Sequence, residues 1–266
     1  MSSNIFVNNF IVGRNTVIEP TAVIRGIKGN ADTVVIGDNC YIGHDVQIIC
    51  DNFSIGDYSK IQHHTNIHGY KPCKIGHNAW IGQYTIIDSI GGTTIGNNCG
   101  IGAHSQLWSH IKYGDTLEGC RFFSDSKLEV GNDVWFVGHC IISPIKAEDR
   151  SMALVGSVVT RDMKENHVYA GSPATDITEK TGPQFKNVSI EEKYKKMLNY
   201  LQEFDSATDA IKIVSSKGEI DFDNKKVSFF DVSSRMYTKN SSDIEIKFMR
   251  YLLPEKAKFI PIEGYK

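Results

Sequence analysis

A six-residue pattern recurs through the first part of the chain. Each unit begins with an aliphatic residue, usually followed by Gly, then two polar residues, a small residue and a variable position. Six residues are too few for a helical repeat but suffice for one short strand and one turn. We expect a parallel β-solenoid in which three units close a triangular coil of about 18 residues and Gly gives the corners backbone freedom. Well-formed units begin at Ile36, Ile42, Ile55, Ile61, Ile75, Ile81, Ile95, Ile101, Val130 and Phe136.

Composition supports strands in this region and a change of structure after it. The chain has 32 Ile but 8 Leu, and 21 of its 23 Gly lie before residue 184. Ile stiffens strands, whereas Leu favours helices. Charged residues rise from about one in six before residue 184 to about one in three after it. These shifts predict two domains, residues 1–183 and residues 184–266.

The second domain has mixed periodicity and is expected to be a small α+β unit. Ser189 is the predicted cap of its first helix, and Pro254 is expected to stop its second helix. No motif in this domain indicates its role. Helices are predicted over 189–205 and 241–253, and strands over 211–214, 220–222, 227–232 and 259–262.

Charge and cysteine usage exclude several classes of protein. A formal net charge of −2 with 23% charged residues leaves no broad basic surface for nucleic acid. No run approaches the ~18 apolar residues of a membrane helix, and the first residues lack the pattern of a signal peptide, so a cytoplasmic location is expected. The six Cys form no Cys-x-x-Cys pair, which argues against a zinc knuckle. Cys40, Cys99 and Cys140 share the small position of the repeat and are expected to be buried free thiols.

The last repeats carry a more specific signature. Val130–Trp135, Gly156–Asp162 and Ala170–Ala174 together resemble the tail of the hexapeptide-repeat acyltransferases. The resemblance covers roughly residues 12–177 and implies a mainly β fold, a left-handed parallel β-helix. It also implies acetyl-CoA as the acetyl donor and a homotrimer with active sites between neighbouring β-helices.

The longest interruption of the repeat, Trp108–Glu129, is too long to be a simple turn. In the family that this chain resembles, a loop here reaches over the acceptor, so the resemblance implies that His110 is the catalytic base. Imidazole suits this role because it titrates near neutral pH. Trp135 is implied to lie beside the thioester and acceptor, and it could equally fill a subunit interface. Further His side chains remain candidates for acceptor contact, namely His63, His64, His68 and His104.

The resemblance also implies a set of cofactor contacts on the last coils. Gly138 corresponds to a backbone position near the thioester sulfur, Arg161 is placed to meet a CoA phosphate, and Pro173 is placed to pack on the adenine. Where the family commonly has Lys or Arg after the Pro-Ala pair, this chain has Thr175-Asp176, so Lys164 or Lys180 is the candidate replacement. The complete set of cofactor-binding candidates is Gly138, Gly156, Ser157, Thr160, Arg161, Lys164 and Pro173, and no metal ligand is predicted.

These features predict an acetyl-CoA-dependent O-acetyltransferase that modifies a hydroxyl of a carbohydrate, a surface polysaccharide or its precursor. An N-acetyltransferase of a nucleotide-linked amino sugar is the close alternative, because the sequence does not separate alcohol from amine acceptors. A zinc protein like the β-helical carbonic anhydrases and a non-catalytic scaffold are weaker alternatives. Metal analysis and an acceptor screen respectively distinguish them.

Overall fold

The computed structural model describes residues 4–205 and 208–262. The chain divides into two compact units, Met1–Phe185 and Lys186–Lys266. This division lies two residues beyond the boundary that the change in charge density predicts. None of the described helices is long and apolar enough to cross a membrane.

The first unit is a β-helix of short strands. Parallel ladders form its three faces. Among the strand pairs that the structure describes here, β22 and β23 are antiparallel. The first face contains β1, β3, β6, β9, β12, β15, β18 and β21, the second contains β4, β7, β10, β13, β16 and β19, and the remaining strands form the third. The left-handed parallel β-helix predicted from the sequence is confirmed.

In chain order, the strands of the first unit are β1 (Ile5–Val12), β2 (Val17–Ile18), β3 (Val23–Arg25), β4 (Ala31–Ile36), β5 (Tyr41–Ile42), β6 (Gln47–Cys50), β7 (Asn52–Ile55), β8 (Lys60–Ile61), β9 (Asn66–Gly69), β10 (Cys73–Ile75), β11 (Trp80–Ile81), β12 (Ile86–Asp88), β13 (Thr93–Ile95), β14 (Gly100–Ile101), β15 (Gln106–Leu107), β16 (Leu128–Val130), β17 (Trp135–Phe136), β18 (Ile141–Ile142), β19 (Lys146–Ala147), β20 (Met152–Ala153), β21 (Val158–Val159), β22 (Val168–Gly171) and β23 (Ala174–Asp176). A short helix, α1 (Thr178–Thr181), follows them.

The aliphatic residue of each unit points into the coil and stacks on its equivalent in the next coil. On the third face, Ile61 pairs with Ile81 and Ile81 pairs with Ile101, and all three are completely buried. This stacking removes a continuous column of side chains from water, which is the main driving force for the fold. Cys40, Cys99 and Cys140 are buried free thiols, as expected from their small position in the repeat.

The middle coils are longer than the expected 18 residues, whereas in the last coil Trp135 pairs with Met152, 17 residues later. Trp80 pairs with Gly100 twenty residues later, and Lys60 pairs with Trp80 at the same spacing. In the middle coils, two of the three units contain six residues each. The third unit, which turns from the first face to the second, is longer. The extra residues accumulate at one corner of the β-helix, where the Trp108–Glu129 insertion also lies.

Glycine serves the repeat through its small size rather than through corner freedom. The left-handed corner residue lies two positions after the Gly, at Asn78 and Asn98 for example. At Gly76, an added Cβ would lie 2.7 Å from the backbone carbon of Gly96, and at Gly102 it would collide with the carbonyl oxygen of Val137. Gly therefore allows successive coils to approach closely, and the expectation of conformational freedom at these positions is wrong.

The described residues of the second unit, 186–205 and 208–262, form a four-stranded sheet and two helices. Its elements are α2 (Ile190–Asp205), β24 (Ile211–Val214), a short 3-10 turn (Lys217–Glu219), β25 (Ser228–Asp231), β26 (Met236–Tyr237), α3 (Asp243–Leu252) and β27 (Ile260–Pro261). The strand order is β24-β25-β26-β27. Ser189 and Glu192 form a reciprocal cap before α2, and Ser242 Oγ accepts a hydrogen bond from Glu245 N at the start of α3.

One predicted strand of this unit is wrong and one observed strand was not predicted. The 220–222 segment is irregular because the 3-10 turn ends just before it, and Ile220 contributes only its buried side chain to the core. β26 has only two residues, which is too short for an alternating pattern to reveal. The other predicted elements are present with ends displaced by up to two residues.

Candidate active site

The insertion between β15 and β16 has an anchored base and an exposed tip. Backbone hydrogen bonds in both directions join Ile111 and Ser124, at 2.7 and 2.8 Å. Lys112 Nζ lies 2.9 Å from Asp125 Oδ2 nearby. Tyr113, by contrast, is fully exposed. The anchors hold the residues just before Ile111 against the β-helix, and His110 is one of them.

A buried carboxylate holds His110. Asp88 ends β12 one coil earlier, and its side chain is fully buried beneath the base of the loop. Asp88 Oδ2 accepts hydrogen bonds from Ser109 N at 2.9 Å and Ser109 Oγ at 2.6 Å, and it lies 2.8 Å from His110 Nδ1. A carboxylate is an acceptor, so His110 Nδ1 carries the proton and Nε2 is left with a lone pair. This arrangement can take a proton from a nearby hydroxyl or amine.

Sequence reasoning did not identify Asp88. The signal for it is a carboxylate that follows two consecutive Ile, Ile86-Ile87, at the end of a strand. In coils of twenty residues, this position falls beneath the residues that open the long loop. In a coil of 18 residues, Asp88 would not lie beneath His110. The repeat alone therefore does not reveal the contact between these two residues.

Two other aromatic side chains lie close to the pair. The rings of Trp108 and His110 meet edge to face, with centroids 6.2 Å apart. His68, on β9, lies on the opposite side of the carboxylate, with Nε2 3.7 Å from Asp88 Oδ1. His110 itself is 17% exposed, so it is sheltered but reachable from solvent.

Trp135 lies on the third face of the β-helix, whereas His110 follows a strand of the first face. The Trp135 side chain covers Gly100, and an added Cβ at Gly100 would lie 3.1 Å from its ring. Trp135 is 45% exposed. A single chain therefore presents the two predicted catalytic residues on different faces.

The other His candidates form a separate ladder. The rings of His64, Tyr84, His104 and His139 stack on one another along the corner between the third and first faces, with centroids 4.8 to 5.0 Å apart. His63 meets His64 and Tyr84 edge to face. This stacking gives these residues a structural role at the corner. Within the described ranges 4–205 and 208–262, no cluster of His, Cys, Asp and Glu side chains is arranged to hold a metal ion.

The predicted cofactor residues lie on the last coils, but they differ in accessibility. Ser157 is completely buried, and its hydroxyl donates to Leu154 O at 2.6 Å. The Ser157 hydroxyl thus stabilises a corner from inside, and only backbone atoms of this residue could meet a ligand. Gly138 is buried beneath the next corner and accepts a hydrogen bond from Gly156 N at 3.0 Å. The exposed candidates are Gly156, Thr160, Arg161, Lys164 and Pro173.

The segment after Pro173 has a carboxylate where the family that this chain resembles commonly has a cation. Asp176 accepts hydrogen bonds from the hydroxyl and backbone N–H of Thr178, and His167 Nδ1 lies 2.6 Å from its other oxygen. Together these contacts, with those of Thr178 the larger, lower the pKa of Asp176 to about 2. Asp176 therefore stays ionised, and both of its oxygens are used in contacts within the chain. The exposed cations of this region are Arg161, Lys164 and Lys180.

Comparison with curated proteins finds partial matches. The chain is 28% identical over 186 residues to the bifunctional protein GlmU of Listeria welshimeri serovar 6b, a match that covers 58% of this chain and 36% of that protein. It is 31% identical over 109 residues to GlmU of Anaplasma marginale strain Florida, covering 39% of this chain and 23% of that protein. The matched region spans about a third or less of these relatives. No family model matches the chain.

Solved structures share the architecture at low sequence identity. The polySia-specific acetyltransferase NeuO superposes with a TM-score of 0.50 at 20% identity, covering 74% of this chain and 90% of NeuO. The N-acyltransferase AntD of Bacillus cereus, in complex with dTDP and 3-hydroxybutyryl-CoA, superposes with a TM-score of 0.41 at 16% identity, covering 73% and 88%. A hexapeptide-repeat acetyltransferase of Vibrio cholerae O1 biovar eltor, in complex with acetyl-CoA, gives 0.38 at 19% identity, covering 53% and 68%. The resemblance predicted from the sequence is confirmed at the level of fold: the chain has the left-handed β-helix of the hexapeptide-repeat acyltransferases.

Proposed function

We propose that this protein is an acetyl-CoA-dependent O-acetyltransferase that modifies a hydroxyl of a carbohydrate, either a surface polysaccharide or its precursor. The observation that carries the proposal is the hydrogen bond between His110 and the buried carboxylate of Asp88, 2.8 Å long. It orients a histidine at the base of the long insertion between β15 and β16. The carbohydrate acceptor draws support from NeuO, which is described as specific for polySia.

The proposed reaction uses His110 twice. His110 Nε2 takes the proton of the acceptor hydroxyl while the hydroxyl oxygen attacks the acetyl carbonyl, for which acetyl-CoA supplies an activated thioester. Asp88 stabilises the imidazolium that forms, because its carboxylate accepts the Nδ1 hydrogen bond of the charged ring. When the C–S bond breaks, His110 returns the proton to the departing thiolate. Atoms and charge therefore balance over one cycle.

The last coils carry groups suited to hold CoA. Arg161 and Lys164 are exposed cations, and an exposed guanidinium can meet a phosphate with two parallel hydrogen bonds. At Gly156 an added Cβ would meet nothing within 4 Å, so the backbone there is open to a neighbouring group. Thr160 and Pro173 are exposed in the same region. The buried hydroxyl of Ser157 bonds to Leu154 O, so Ser157 would contact CoA through its backbone atoms.

The proposed assembly is a homotrimer with each site between two β-helices. His110 and Trp135 lie on different faces of one chain, so a second chain is needed to bring them together. Trp80, Tyr84 and Trp135 are each 43 to 48% exposed and would be covered in such an interface. Light scattering is expected to give three times the 29.7 kDa of one chain. A single-chain mass over a wide concentration range contradicts the trimer.

An acceptor screen with thiol release as the readout tests the reaction. Sugars that offer only hydroxyls are compared with amino sugars, free and nucleotide-linked, in the presence of acetyl-CoA. Release with the hydroxyl sugars supports the proposal, and release with amino sugars alone shows that the enzyme is an N-acetyltransferase. Acetyl-CoA binding without release on any acceptor indicates a non-catalytic scaffold.

Two variants connect turnover to the site. His110→Ala should lower turnover by roughly 10²- to 10⁴-fold, the usual contribution of a general base, while acetyl-CoA binding stays unchanged. His44→Gln is the matched control, because His44 is exposed and its ion-pair partner is Glu19, 3.4 Å away on an early coil. Near-normal turnover of His110→Ala, with activity lost in His64→Ala or His104→Ala, would show that the general base belongs to the stacked rings of His64, Tyr84, His104 and His139.

A further inference from the structure

The carboxylate of Asp88 faces a second imidazole on the coil before it. His68 on β9 and Asp88 on β12 are paired in parallel register, and His68 Nε2 lies 3.7 Å from Asp88 Oδ1. Asp88 Oδ2 has three donors around it, from Ser109 and His110. Asp88 Oδ1 is buried and has no hydrogen-bond partner among the residues that the structure describes. The two oxygens of one carboxylate thus differ sharply in their contacts.

The protonation state of His68 decides whether its contact with Asp88 is attractive. His68 Nδ1 lies 3.1 Å from Asn66 Oδ1, an acceptor, so the Nδ1 proton points away from Asp88. In the neutral ring, Nε2 then presents a lone pair to Asp88 Oδ1, and two acceptors do not bond. A proton on Nε2 converts the same contact into a charge-assisted hydrogen bond. With 36% of its side chain exposed, His68 can exchange this proton with solvent.

Two further neighbours of His68, Ile49 and Lys71, do not provide a second carboxylate for its ring. Its register partner on β6 is the uncharged Ile49. Lys71, three residues further along the chain, pairs with Asp125 at 3.7 Å. Among the ion pairs of the described residues, His68 has Asp88 as its partner, and Asp88 has His68 and His110.

We propose that His68 is a positioning residue that competes with His110 for the charge of Asp88. This inference rests on the proposed function, in which Asp88 stabilises the imidazolium of His110. A protonated His68 donates to Asp88 Oδ1 and neutralises the carboxylate, so Asp88 then supports the charged His110 less well. Full activity therefore requires both imidazoles to be neutral before the acceptor hydroxyl is deprotonated.

The first test is the pH dependence of kcat/KM. Because a proton on His110 stops the reaction and a proton on His68 lowers the remaining activity further, the acid limb of log(kcat/KM) against pH should be steeper than a slope of one in the wild type. In His68→Gln, whose side chain does not titrate, the slope should fall to one. His44→Gln is the control and should keep the wild-type slope. A wild-type limb no steeper than one, or a steeper limb that persists in His68→Gln, overturns the inference.

A fixed charge gives the complementary result. His68→Lys places a permanent cation beside Asp88 Oδ1, so kcat should fall by about tenfold even at the optimal pH, as expected for an added charge at this range. KM for acetyl-CoA should not change, because the proposed cofactor contacts lie on the last coils. A normal kcat in His68→Lys, in a protein with normal thermal stability, counts against the proposed competition.

A readout independent of turnover separates this inference from the proposed function. Nuclear magnetic resonance of labelled imidazoles should show His110 titrating in two steps in the wild type, since two interacting groups share one carboxylate. In His68→Gln, His110 should follow a single-site curve. Two steps in a protein that acetylates no acceptor would overturn the function alone. Turnover with a His110 curve that His68→Gln leaves unchanged would overturn the inference alone.

Discussion

Asp88 Oδ2 lies 2.8 Å from His110 Nδ1, although 22 residues separate them in the chain. The separation is close to one twenty-residue coil, so the β-helix itself brings the carboxylate beneath the first residues of the long loop. Ser109, the neighbour of His110, fills the remaining hydrogen-bonding positions on the same oxygen. The loop base and the coil below it therefore form one rigid unit, which suits a group that must hold a proton acceptor in place.

The charge of Asp88 should matter more than its shape. In Asp88→Asn, the amide oxygen can still accept from Ser109 and His110, but it carries no charge to stabilise the imidazolium. We expect kcat to fall by roughly 10²- to 10⁴-fold, the upper value being that of the same change in a Ser-His-Asp triad, with little change in KM for acetyl-CoA. Steady-state kinetics measure this split, and circular dichroism confirms folding. A variant with unchanged kcat would show that Asp88 only stabilises the fold.

The proposed phosphate contact of Arg161 can be tested by substitution. Arg161→Ala should raise KM for acetyl-CoA by about 10- to 100-fold, equivalent to the roughly 1.5–3 kcal/mol of a charge-assisted hydrogen bond, and change kcat less. Lys74→Ala, which removes an exposed cation from the second face, is the control. If the variant loses affinity equally for a CoA analogue that lacks the phosphates, the contact is elsewhere.

The close approach of successive coils makes particular glycines irreplaceable. In Gly102→Ala, the new methyl group would collide with the carbonyl oxygen of Val137 and lie 2.6 Å from Gly138 N. Backbone atoms cannot move aside as a side chain can, so we expect a loss of about 1–3 kcal/mol or more in unfolding free energy. Gly218→Ala is the comparison, because its added Cβ lies 3.9 Å from the nearest atom. Urea denaturation that finds the two variants equally stable would contradict the steric argument.

A buried carboxyl group should make the second unit sensitive to pH. Glu245 is fully buried, and burial raises its pKa above 4.5, against the opposing effect of hydrogen bonds from Ser228 Oγ and Asn240 N. A raised pKa in the folded state means that folding takes up a proton. This contribution to stability is therefore complete below the unfolded pKa and is lost as pH rises through the folded pKa.

Hydrogen exchange in α3 provides the measurement for this effect. Protection of α3 in the wild type should decrease as pH rises above 4.5, after correction for the intrinsic exchange rate. Glu245→Gln does not titrate, so its protection should vary less over the same range. Identical pH dependence in the two proteins would exclude Glu245 as the responsible group.

The repeat by itself determined the architecture of the first unit. An aliphatic residue at every sixth position can be buried continuously only if the chain coils and stacks these residues in columns, as Ile61, Ile81 and Ile101 do. The same pattern placed Cys40 and Cys99 inside the coil and marked 108–129 as an insertion. Trp80 and Trp135 each precede a buried residue of a strand on the third face and point outward, since strand residues alternate between faces.

Only the tertiary structure decided which side chains meet around His110. The hexapeptide pattern does not specify how many residues the longer corner of each coil contains, and that number sets the register between coils. With twenty residues per coil, Asp88 comes to lie between His68 and His110, and the loop base then covers its carboxylate. Likewise, the role of Gly102 depends on how closely the Val137 backbone approaches from the next coil. Contacts between coils join residues far apart in the chain, so local pattern predicts the coil and three-dimensional packing determines the site.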